Sequence, residues 1–351
     1  MYLNSFNHFR ALAIAVIVAS HTIWTCGWQF DSVAERFALN LVSGGSTLFV
    51  FISGFLYHHI FYRRSTPYAQ FMRDKLRNVL TPYLVLSIPT LWIFLMFPRW
   101  AVRAPIFADP DGGLIGTYLV PFLMDLLTGY TTHAYWYIPF VLLLFGLSPV
   151  FDRVIRAPAG VRWALFAGGL AISMLIHRPV ENINPLQSLV YFSPVYVFGI
   201  LCSIHRERVY RMFKGSRVYG LLIAALGLAL GRAVWMPQVL GNFHKPAFAY
   251  GGIDTMILQG LALCVFFMVW LARYESRQWR AVHLLASGSF AIYFIHPLLL
   301  VFAGPLVHIA NVGHAGYDWM MTTALTLVLS FAIARGVQAA WPTGSRRLIG
   351  W

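Results

Sequence analysis

The sequence predicts an all-α fold, a polytopic integral membrane helix bundle, and three observations lead there. Of its 351 residues 59% are hydrophobic, 11% are charged and mean hydropathy is +0.66, whereas a soluble domain carries about 25% charged residues. Ten apolar runs, most of them about 20 residues long, match a ~30 Å hydrocarbon core. They fall near 8–27, 41–62, 79–98, 134–151, 161–177, 187–204, 217–235, 252–272, 283–305 and 318–341. Finally, the basic residues alternate between loops. One side holds Arg63, Arg64, Arg73, Lys75, Arg77, Arg153, Arg156, Arg162, Arg206, Arg208, Arg211, Lys214, Arg217, Arg273, Arg277, Arg280, Arg346 and Arg347. The other holds only Arg36, Arg99, Arg103, Arg178, Arg232 and Lys245, with most of the acids. The positive-inside rule then makes both termini cytoplasmic, in agreement with an even number of spans.

The runs fill the chain and leave a single membrane domain over 1–351. The net charge of +14 is accounted for by topology, so membrane lipids are expected around the chain and nucleic acid is not an expected partner. Cys26, Cys202 and Cys264 lie in or beside runs without CxxC spacing, which supports neither a disulfide framework nor a metal site. The N-terminal run resembles a signal peptide, but His21 and Trp24 stand where small cleavage-site residues belong, so it reads as a retained span.

Taken in order, the first run, FRALAIAVIVASHT, carries Arg10 and His21. Eleven helical residues make three turns plus ~20°, so both side chains share a face and stand roughly 16 Å apart along the axis. Ionisable groups in a span are costly and face a cavity or a partner. Arg10 at the cytoplasmic end can hold a phosphate-bearing donor, and His21, in the outer half, can take a proton from a nucleophile. Read separately, Arg10 can instead snorkel to headgroups and His21 can be a hydrogen-bonded core histidine.

The second run, GGSTLFVFISGFLYHH, is interrupted by Ser53 and Gly54, where a helix or a ligand can approach closely. Before the third run, FMRDKLRNVLTPYL sets Arg73, Lys75 and Arg77 ahead of Pro82; these cations suit phosphates or a solvated topogenic loop. The segment from Arg99 to Thr132 is the longest outer loop, with an interfacial helix expected at 114–129 and Asp109, Asp111, Asp125 and Tyr130 available to face a glycan or simply solvent. The fourth run opens on HAYWYIPF, whose His133, Tyr135, Trp136 and Tyr137 suit an interfacial aromatic belt or a stacking surface for sugar rings. Pro179, Pro185 and Pro194 are expected to interrupt the fifth and sixth runs. In the ninth, ASGSFAIYFIHPLLL, Tyr293 and His296 are three residues apart on one helix face, beside Pro297.

These segments together resemble the acyltransferase 3 family of membrane O-acyltransferases, over nearly the whole chain. The resemblance rests on Arg10 and His21 with ten residues between them, FVFISGFL in the second run, the basic entry ending at Pro82, WYIP at Trp136 to Pro139, and IYFIHP at Ile292 to Pro297. The chain departs from the family at the third-run entry. Two arginines often stand there with two residues between them; here three separate Arg73 from Arg77, which leaves open which cation meets the donor's phosphates.

The resemblance implies transfer of an acyl group, most often acetyl, from cytosolic acetyl-CoA to a hydroxyl outside the membrane. His21 would be the catalytic base and Arg10 a partner of the donor, with Ser53, Arg73, Lys75 and Arg77 around the donor. His133, Trp136, Tyr137, Tyr293 and His296 would meet the acceptor, and no metal takes part. The expected acceptor is an exopolysaccharide repeat unit or a lipid-linked oligosaccharide, in a bacterial inner membrane and beside exopolysaccharide assembly machinery. The chemistry is either direct attack by the hydroxyl or a covalent acetyl-histidine relay. With ten residues following Trp341, a stand-alone membrane enzyme is expected. A transporter or exporter of an anion or glycan precursor is the alternative class, but residues 1–175 and 176–351 show no paired interrupted helices.

Overall fold

The computed structural model describes residues 3–97, 106–302 and 314–351; Arg99, Arg103 and the end of the ninth run lie outside the described residues. The protein is 77% helical, with no strand among the described residues. In chain order the helices are α1 (Asn4–Thr22), α2 (Val33–Val42), α3 (Gly45–Leu56), α4 (Tyr68–Lys75), α5 (Thr81–Met96), α6 (Val120–Thr128), α7 (Tyr137–Gly146), α8 (Ser148–Arg156) and α9 (Ala159–Ile176). Then follow α10 (Pro185–Ile204), α11 (Arg206–Met212), α12 (Arg217–Trp235), α13 (Met256–Ala272), α14 (Arg280–Ser287), α15 (Ser289–Phe302), α16 (Ala315–Ala340) and α17 (Ser345–Leu348).

Among the described residues seven helical stretches are long enough and apolar enough to cross a membrane, and two bent pairs raise the number to nine. Two bends and one short helix account for the difference from ten straight spans. The fourth run is α7 and α8, turned by 53°, and the ninth is α14 and α15, turned by 71° at Gly288. The eighth run is α13, whose 17 residues rise about 25 Å, short of the full apolar thickness. The prolines do not break the fifth and sixth runs. Pro179 lies between α9 and α10, and Pro185 opens α10, where a missing amide hydrogen costs nothing. Pro194 sits inside an α10 that continues for 20 residues.

Burial separates centre from rim. In α10, 72% of the apolar window is covered by protein, against 6% in α9, which leaves α9 facing the apolar surroundings. The centre is formed by α1, α3, α10 and α13, with α15 against α1. Gly54 and Gly199 allow α3 and α10 to touch through their backbones. A Cβ on Gly54 would fall 2.1 Å from the Tyr196 carbonyl oxygen, and one on Gly199 2.3 Å from that of Phe51.

Helix α1 enters this centre without a capping side chain of its own. Instead Glu275, beyond α13, accepts the Asn4 and Ser5 amides at 2.6 and 2.9 Å, which meets two of the donors a helix start leaves open. Deeper along the helix, the Trp319 indole donates to the Ala19 carbonyl at 2.9 Å, and Thr22 meets Thr323 at 2.7 Å. The helix that carries Arg10 and His21 is thus fixed at both ends.

Candidate active site

The uninterrupted α1 puts Arg10 and His21 on one side, as their spacing requires, and each lines a different cavity. The Arg10 chamber measures about 430 Å³ and the His21 chamber about 580 Å³. Ile17, Tyr137 and Tyr293 line both and form their common wall. The two tyrosine rings stand 5.8 Å apart.

The Arg10 chamber is basic. Arg10 donates to Ser289 Oγ at 3.0 Å, and Lys75 and Arg346 add two cations, with Asp74 and Asn78 beside them. The Lys75 ammonium lies 4.6 to 5.1 Å from the ring centroids of Phe61, Phe71 and Phe145, a cation–π cradle that holds it in an apolar wall. Ser289 is the first residue of α15 and lines the same chamber, so a helix N-terminus adds its positive dipole end. Ser53 lines the chamber too. Arg73 and Arg77 do not: Arg73 is exposed on the outside of α4, and Arg77 lines a separate groove with Trp341 and Arg347. Lys75 and Asn78, three residues apart on one helical face, line the chamber, whereas Arg77 lies on another face.

In the His21 chamber, His21 Nδ1 lies 2.9 Å from His296 Nε2, with the rings parallel within 10°. His296 Nδ1 in turn lies 2.9 Å from the Ile292 carbonyl. A carbonyl only accepts, so His296 Nδ1 carries the hydrogen; in the neutral ring its Nε2 is then a lone pair, which accepts from His21 Nδ1–H. That pattern leaves the opposite nitrogen of His21, Nε2, unprotonated. His296 is fully buried and absent from the chamber lining, so it faces His21 and not a ligand, in contrast to the acceptor contact expected of it.

His133, Trp136, Tyr137 and Tyr293 do line this chamber, joined by the exposed Trp24. Trp136, Tyr137 and Tyr293 are buried inside the protein, and His133 is exposed. Tyr135 is wholly buried and donates to the Phe294 carbonyl at 2.8 Å, while the Tyr293 hydroxyl donates to the Ala134 carbonyl. These reciprocal bonds tie the segment before α7 to α15. Gly129 makes the turn into that segment at φ +74°, where a Cβ would come within 2.4 Å of the Tyr135 carbonyl. An apolar helix does occupy Ile115–Thr128, but Asp109, Asp111, Asp125 and Tyr130 line neither chamber.

Arg178 is the residue that the loop-charge pattern concealed. It is 5% exposed, lines the His21 chamber and stacks on Trp136, its guanidinium carbon 4.5 Å from a ring centroid. Its Nη2 donates to Asn182 Oδ1 at 2.8 Å, and its Nε has no partner. Burial pulls its pKa down to about 10, which leaves it cationic at neutral pH. The sequence signal was its place on the side that carries few cations. Arg346 went unread as a site residue because it counted as a topogenic charge after the last span.

A protein-family model described as an acyltransferase domain matches residues 3–335. No curated protein and no solved structure matches the chain.

Proposed function

Because the chain belongs to this acyltransferase-domain family and is a multi-pass membrane acyltransferase, we propose that it moves an acetyl group from cytosolic acetyl-CoA to a sugar hydroxyl on the periplasmic side. The acceptor is an exopolysaccharide repeat unit or a lipid-linked oligosaccharide, and the membrane is a bacterial inner membrane. The observation that carries this reading is the pair of chambers on α1, one basic around Arg10 and one holding His21, with Ile17, Tyr137 and Tyr293 between them. Arg10, Lys75 and Arg346 suit the phosphates of the donor, and the α15 N-terminus adds to the same field. The helix rise of about 16 Å from Arg10 to His21 is comparable to an extended pantetheine arm, so the thioester reaches the wall while the nucleotide stays at the basic end.

In the reaction His21 Nε2 takes the proton of the sugar hydroxyl as its oxygen attacks the thioester carbonyl. The carbon–sulfur bond breaks, the new ester keeps the acetyl, and the proton passes to the departing thiolate, which returns His21 to its starting state. His296 acts through His21: it fixes the ring orientation and disperses the positive charge that His21 gains.

The test uses purified protein and labelled acetyl-CoA. Acetyl should reach a saccharide acceptor with wild-type protein and not with His21→Ala. Label that stays on wild-type protein without acceptor, and is missing from His21→Ala, overturns direct transfer in favour of an acetyl-histidine. Equal acceptor labelling by both proteins removes His21 from the mechanism.

A further inference from the structure

The His21 chamber contains a charge that the acyl-transfer chemistry does not use. Arg178 is buried to 5% exposure, has an unpartnered Nε and lines the cavity. Among the described residues no carboxylate lies within ion-pair distance of it. Asp254, whose field reaches it, is already taken by the Tyr191 hydroxyl and the Met256 amide, each at 2.8 Å. A desolvated guanidinium without a counter-ion is costly, and a planar fork held on an indole face is arranged for an oxyanion. The other ionisable groups on this wall are Glu181, which is exposed, the imidazoles of His21, His133 and His244, and the phenols of Tyr137 and Tyr293.

We infer that Arg178, with Trp136 and Asn182, forms an anion subsite in this chamber, and that the acceptor is an acidic saccharide bearing a carboxylate or a phosphate. The inference rests on the chamber being the acceptor site. The anion displaces no protein partner: it pairs with the edge of the Arg178 guanidinium that lines the cavity, while Asn182 holds Nη2 and Trp136 fixes the plane. A neutral sugar would leave the guanidinium uncompensated, so the subsite selects acceptors by charge before any hydroxyl reaches His21.

The experiment titrates the whole protein in nanodiscs, by calorimetry, with methyl β-D-glucuronide, glucose 1-phosphate and methyl β-D-glucoside. At least one anionic sugar should bind on the order of tenfold more tightly than the neutral glycoside. Preference for the glucuronide assigns the carboxylate, and preference for the phosphate ester assigns a glycosyl phosphate. Arg178→Gln should erase the difference. Asn182→Asp, which changes almost no volume, should erase it as well by placing a carboxylate on Arg178 from within. Equal binding of all three sugars, binding of none, or a preference that survives in both variants overturns the subsite. Acetyl-CoA hydrolysis is followed in parallel: an anion preference without donor turnover sinks the acyl-transfer reading and leaves the subsite standing, and turnover without preference does the reverse.

Discussion

At the scale of residues, His21 owes its proposed role to a partner 275 positions away. A lone imidazole rotates and exchanges tautomers, whereas the chain from the Ile292 carbonyl through His296 leaves one nitrogen of His21 basic and holds its ring. His21→Ala should therefore lower acetyl transfer on the order of 10²- to 10⁴-fold. His296→Ala should lower kcat by about 10- to 100-fold with little change in the KM for acetyl-CoA, as steady-state kinetics would show; an equal rise in KM would mean that His296 shapes the donor site instead. Cation identity is resolved in the same way. Loss of Lys75 or Arg346 should raise the KM for acetyl-CoA roughly tenfold or more, since a hydrogen bond to a charged group contributes about 1.5–3 kcal/mol, and Arg73→Ala should not. The sequence made the pair on α1 legible because helical spacing alone sets their common face. It left Arg346 and Arg178 unread, because a charge beyond the end of a span looks the same whether it is solvated or folded back into a cavity.

At the scale of elements, the helices were legible wherever apolar length decided them, and illegible where a helix breaks. Nothing in the hydropathy of the ninth run distinguishes a straight span from α14 and α15 meeting at 71°, yet that bend is what sets Ser289 beside Arg10. Similarly, Ser53 and Gly54 were legible as an interruption, but only packing divides their tasks: Ser53 turns to the Arg10 chamber and Gly54 to the α10 backbone. This division predicts different outcomes for neighbouring substitutions. Gly54→Ala must push α3 from α10 and should cost about 1–3 kcal/mol by overpacking, visible as a lower unfolding temperature in detergent. Gly146→Ala, at a helical glycine with open space around it, should leave the temperature unchanged or raise it slightly. Should both unfold alike, the close contact of α3 with α10 is not what holds the centre together.

At the scale of the whole molecule, the two chambers act as one reaction path only if the thioester can pass their common wall. Ile17 lies between Arg10 and His21 on α1, is 6% exposed and lines both cavities, so its side chain sets the width available there. In the proposed reaction the wall also separates two tasks that kinetics can measure independently, donor binding in the basic chamber and ester formation in the His21 chamber. Ile17→Trp fills the junction without removing any charged or titrating group. It should leave the acetyl-CoA dissociation constant within about twofold, because the phosphate contacts are untouched, while transfer to the acceptor falls by on the order of 10²-fold, the cost of misplacing reacting groups by about an ångström. Ile17→Ala, which widens the junction, should keep transfer. In sealed proteoliposomes the path has a direction as well. Acetyl-CoA added outside should acetylate a saccharide trapped in the lumen by those molecules whose Arg10 chamber faces out, and Ile17→Trp should stop that lumenal product. Product formed only on the side of the donor, or lumenal product undiminished by Ile17→Trp, would place the transfer elsewhere than across this wall.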